Sequence, residues 1–136
     1  MAEQPMTDRE RAQRHAADLA RILAALDERL QHSAEPFAAD SAILHFSLAF
    51  EVSWKLCQSV AEGEGVQADS PASAFRAAFK LGFIRDEEEL LRLIRTRNLI
   101  VHIYRAEFAA AVLAELPAHF ITLRTLLAAS LRRLDV

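Results

Sequence analysis

At 136 residues the chain has room for one ordinary domain, and it can bury roughly two-thirds of its unfolded surface without a disulfide or metal staple. With 52% hydrophobic and 26% charged residues it has the balance of a globular protein, and 3 Gly with 4 Pro are too few turn-formers for an all-β domain. A net charge of -3 excludes a protein that coats nucleic acid generically, so any RNA contact must use a local basic patch.

The first helix opens at Thr7-x-x-Glu10, a capping-box spacing in which each side chain satisfies the other's free backbone amide. Leu19, Ile22, Leu23, Leu26 and Leu30 then recur at steps of three and four, giving one apolar stripe to about residue 32. Residues 32–39 read as a connection, with Asp40 as the N-cap of a second helix running to about Glu62. That helix carries Ile43, Phe46, Phe50, Trp54 and Cys57. Leu44, Leu48 and Val52 widen its apolar arc enough to bury it on more than one side. Residues 63–69 form a loop. Ser70-Pro71 starts a short third helix that carries Phe75, Ala78 and Phe79 and stops at Gly82. Asp86 with Glu89 caps a fourth helix with Leu90, Leu93 and Ile94, reaching Arg97 or beyond. The last helix spans about residues 105–134, and Pro117 should kink it near residues 113–116 or split it. The expected fold is all-α: one domain over residues 1–136, an antiparallel up-and-down bundle of four long helices plus one short helix.

Several functions lack their residues. No uninterrupted apolar run approaches the roughly 18 residues of a membrane span, and the polar N-terminus has no secretory core. A single cysteine, Cys57, suggests a reducing compartment, so a cytoplasmic location is expected. No phosphate-binding glycine loop and no H-E-x-x-H occur, and no cofactor is expected. Glu115 and His119 are an i, i+4 pair, but no second pair completes a metal site, so none is expected.

One polar cluster does not read as structural. In residues 97–104 Asn98 and His102 are i, i+4 neighbours, and Tyr104 returns to the azimuth of Arg97. Arg, Asn, His and Tyr span about 160° of an ideal helix, with Val101 inside that arc. Arg92, Arg95 and Arg105 raise the local positive charge and make a plausible RNA-phosphate patch. Such a set allows metal-free RNA cleavage: His102 moves the proton and Arg97 stabilises charge on the phosphorane. One histidine per chain is thin for an acid–base pair, which favours a symmetric dimer with two copies at its cleft. The plainer reading, an ordinary polar helix face or dimer contact, stays open on these residues alone, since an R-x-x-x-x-H match arises easily with 14 Arg and 5 His.

Three ordered blocks carry a resemblance. Asp40, Ile43, Phe46, Phe50-Glu51 and Trp54-Lys55 are similar to D-x-x-I-x-x-F-E-x-x-F-E-x-x-W-K. Ser70-Pro71, Phe75-Arg76, Ala78-Phe79, Gly82 and Ile84 are similar to S-P-R-x-x-F-R-x-A-F-x-x-G-x-I, and Arg97-Asn98, His102 and Tyr104 fit R-N-x-x-x-H-x-Y. The chain, from about Ala24 to Leu127, thus resembles the small HEPN proteins of the HepT type, also called nucleotidyltransferase substrate-binding proteins. It departs at Ser47, where an acidic residue is usual, at Ala72, where Arg is usual, and at Leu90 or Leu91, in place of an aromatic.

The resemblance implies a helical homodimer that is the RNase toxin of a toxin–antitoxin pair. Arg97 and His102 would then be catalytic, with Asn98 in support. A partner minimal nucleotidyltransferase would neutralise the toxin by transferring AMP onto Tyr104. That would put bulk and negative charge where RNA phosphate should sit. The chain has no Gly-Ser followed by Asp-x-Asp, so any transferase activity must come in trans. The alternative is a non-catalytic subunit that binds substrate or nucleotide for a two-component nucleotidyltransferase.

Overall fold

The computed structural model describes residues 4–102 and 106–135, and every regular element among them is helical. The helices are α1 (Asp8–Gln31), α2 (Pro36–Gly63), α3 (Pro71–Lys80), α4 (Glu87–His102) and α5 (Ala106–Arg133).

Local chemistry explains most of the boundaries. At α1 the Glu10 amide donates to Thr7 Oγ1 at 3.1 Å and the Thr7 amide to Glu10 Oε2 at 3.4 Å, closing the expected box. At α3 Ser73 takes the Glu role: its amide donates to Ser70 Oγ at 3.2 Å, and its hydroxyl accepts from the Ser70 amide at 2.9 Å. Gly82 follows α3 at φ +84°, the left-handed conformation that favours glycine. Asp86 Oδ1 accepts from the Glu89 amide at 3.2 Å and starts α4 under three glutamates.

Two expectations need correction. The second helix begins at Pro36, not after Asp40, with Glu35 at the cap position and no side-chain cap bond. Proline's fixed φ and missing amide suit a first helical turn, so the chain enters the helix a turn earlier. The last helix is not split at Pro117 but runs unbroken from Ala106 to Arg133. Pro117 sits on the exposed side, where the Leu113 carbonyl it leaves without an intrahelical partner can turn to water.

α2 is the central element and packs against α1, α3, α4 and α5; the α1–α2 hairpin is the most extensive pairing. Across that hairpin Arg29 Nε donates to Ser41 Oγ at 3.1 Å. Phe46, Phe50, Phe75, Leu93, Leu116 and Leu123 are fully buried, and Phe50 meets Phe75 edge-on at 5.9 Å. Cys57 lies wholly inside, and burial pushes its thiol pKa up. By length and composition α5 could cross a membrane, but here it packs against α1, α2 and α4.

The wide apolar arc of α2 is only partly covered. Leu44 is 57% exposed, Leu48 45% and Phe37 89%, so this helix is not buried on the side they occupy. These three residues recur at steps of seven and four, a row along one outer face.

Candidate functional site

α4 carries Arg97, Asn98 and His102 on continuous helix: no break occurs at Asn98, and the helix is described as far as His102. Its apolar residues Leu90 and Leu93 anchor it in the core. Its polar side chains then reach two different neighbours.

Arg97 turns toward α2. Its Nη2 donates to Glu51 Oε1 at 3.1 Å, and its Nη1 donates to Asn98 Oδ1 at 3.2 Å. The guanidinium lies 5.2 Å from the centre of the Phe50 ring, close enough for a cation–π contact. Glu51 is shared, because its other oxygen accepts from Trp54 Nε1 at 3.0 Å. Arg97 is therefore fixed over an aromatic floor, in a pair still open to solvent at 30% exposure for Arg97 and 41% for Glu51.

Thr96, one residue earlier, turns toward α5. Its Oγ1 shares a 2.7 Å hydrogen bond with Nε2 of His119, a buried histidine stacked on Phe46 at 5.3 Å. Burial holds the His119 pKa below its ordinary value; nearby Glu115 opposes the shift and Arg92 adds to it. His119 thus ties α2, α4 and α5 together as a neutral core group. Among the described residues no three or more His, Cys, Asp or Glu side chains converge as a metal site.

Arg92 and Arg95 lie on the other side of α4 from Arg97, about 140° and about 160° around the helix. Together with Thr96, Leu99 and Glu115 they line an open groove of about 560 Å³ between α4 and α5. The structure thus brings Arg97, Asn98 and Glu51 together and sets Arg92 and Arg95 on a separate face. Tyr104 and Arg105 lie outside the described residues, and His102 is placed by its backbone, as the last residue of α4. Val101, inside the expected polar arc, is exposed.

Sequence reasoning did not single out Glu51 as the partner of Arg97. The available signal was a Glu-x-x-Trp pair beside buried Phe50, where an indole N–H and a carboxylate each need a partner. Nor did it connect Thr96 with His119, 23 positions apart.

Two solved structures share the fold. One, the crystal structure of ttk003001694 from Thermus thermophilus, is 30% identical, with a TM-score of 0.75 over 82% of this chain and 98% of that one. The other, described as the toxin-antitoxin MntA-HpeT mutant, is 15% identical, with a TM-score of 0.73 over 88% of this chain and 95% of that one. No curated protein matches the chain. Residues 10–133 match the family described as nucleotidyltransferase substrate binding protein like, and the chain belongs to that family.

Proposed function

We propose that the chain is a metal-independent ribonuclease toxin, paired with a nucleotidyltransferase antitoxin that adds AMP to Tyr104. The observation that carries this reading is Arg97, oriented by Glu51 and Asn98 over the Phe50 ring on a helix that continues to His102. A guanidinium held this way needs little reorganisation to meet charge developing on a phosphorane. The shared fold with a component of a toxin–antitoxin complex, and the family's description, support the pairing with a nucleotidyltransferase.

Arg97 and His102 are five residues apart on unbroken helix, so their backbone positions differ by about 140° and roughly 7.5 Å of rise. One phosphodiester therefore meets both groups more easily if they come from two chains, which supports a homodimer. In that arrangement His102 acts as acid or base and Arg97 as charge stabiliser. Arg92, Arg95 and Arg105 draw the RNA strand along α4.

The test is RNA cleavage by purified protein in EDTA, comparing wild type, Arg97→Ala and His102→Ala, with intact mass recorded for each. Cleavage by wild type that both variants lose supports the toxin. No cleavage by protein of unmodified mass refutes it and favours the substrate-binding subunit. A mass increased by one AMP calls for the same assay on unmodified protein.

A further inference from the structure

At the far end of the bundle from His102, arginines gather where the α3–α4 connection passes the last turns of α5. A cavity of about 290 Å³ there is lined by Gly82, Phe83, Arg85, Ala129, Arg132 and Arg133. Three of these six residues are arginines and none is acidic. In a chain of net charge -3 this is a local concentration, not the general character of the surface.

The cavity is also partly pre-built. Arg133 is fixed by Glu64, with Nε donating to Oε2 at 2.8 Å and Nη2 to Oε1 at 2.5 Å. Its guanidinium lies 6.0 Å from the Phe83 ring centre, and its bonds hold the Glu64 carboxyl below the usual carboxylate range. Arg85 and Arg132 are exposed and also line a second cavity under the start of α4. Arg133 lines a third, which reaches Arg9 on α1. Of the nearby carboxylates, Asp86 and Glu89 line the second cavity and Glu64 the third, while exposed Asp135 follows Arg133 by two residues.

Guanidinium forks match the oxygens of a phosphate group, and with Arg133 already engaged by Glu64 the forks that would meet an anion here are those of Arg85 and Arg132. We propose that the Arg85–Arg132–Arg133 cavity is a second site for phosphate groups, either of a free nucleotide or of an RNA strand. The 16 residues of α4 set it roughly 24 Å from the end of α4 at His102. The site stands whether or not α4 cleaves RNA.

The experiment titrates the full chain at low salt with inorganic pyrophosphate and, separately, with a 2′-O-methyl oligonucleotide that cannot be cleaved. Wild type is compared with Arg85→Gln/Arg132→Gln and, as a control of equal charge on exposed α1 positions, with Arg14→Gln/Arg21→Gln. Melting curves check that each variant is folded. The Arg85/Arg132 pair should weaken binding of at least one probe by about tenfold or more, the loss of charged hydrogen bonds. The control pair should leave pyrophosphate binding unchanged. Dependence for pyrophosphate alone identifies a free phosphate or nucleotide ligand; dependence for the oligonucleotide identifies the strand. If neither probe binds wild type, or if binding is the same in Arg85→Gln/Arg132→Gln, the site does not exist.

Discussion

Arg97 and His119 show how differently a polar side chain can serve within one turn of the same junction. The Arg97–Glu51 pair is partly solvated, so Glu51→Gln should cost under about 1 kcal/mol in a denaturant titration. If Glu51 positions Arg97 for chemistry, that variant's RNA cleavage should fall well beyond any loss of folded protein. A loss matching the unfolded fraction would make Glu51 only structural. His119 acts on stability through protons. Its native pKa lies below the ordinary 6.5, so as pH falls through that value the unfolded chain takes the proton first and stability declines. The decline continues until the native pKa is passed, and at higher pH the group has no effect. Urea midpoints at about pH 7.5 and about pH 5.5 should therefore differ less in His119→Gln than in wild type. An unchanged difference would refute the role. His15, also lowered chiefly by burial, retains part of the slope. Arg97 and Asn98 could be read together in the sequence because they are contiguous on α4. Glu51 was not, because a pairing across 46 positions leaves no mark in local spacing.

Helix boundaries were legible where a side chain makes a cap and less so where proline competes with one. Ser70 and Asp86 cap as their spacing suggests, whereas Asp40, read as the cap, falls inside α2, which starts at Pro36, a residue read as part of the connection. Pro117 was read as a kink or a split; its exposed position lets α5 continue without a split. The caps give the measurable consequences. Ser70→Ala removes the acceptor for the Ser73 amide and should destabilise the protein by about 1 kcal/mol. Gly82→Ala meets no atom within 4 Å, so its cost should come only from holding φ at +84°, about 1–2 kcal/mol. Equal stability of either variant with wild type in urea would show that these ends do not set the helix limits.

At the scale of the molecule, the bundle follows from periodicity, but the direction each stripe faces does not. Phe46 and Leu44 belong to the same broad apolar arc of α2, and one is in the core while the other is 57% exposed. Periodicity cannot separate a face meant for the core from one meant for another chain, because both are apolar at the same repeat. The proposed dimer gives the exposed row a use: wild type should sediment as a dimer, and Leu48→Glu should shift it to monomer at the same concentration. A monomeric wild type would remove the two-chain reading of Arg97 and His102.

Thr96 and Arg97 are adjacent, yet one holds α5 through His119 and the other α2 through Glu51. The two grips are set by helical phase. Adding or deleting a single residue between Asp86 and Thr96 would turn both side chains by about 100° and slide them about 1.5 Å, releasing both contacts together. The length of that short stretch is thus under stricter constraint than its exposed residues Glu88 and Leu91, whose identities can change while the count stays fixed.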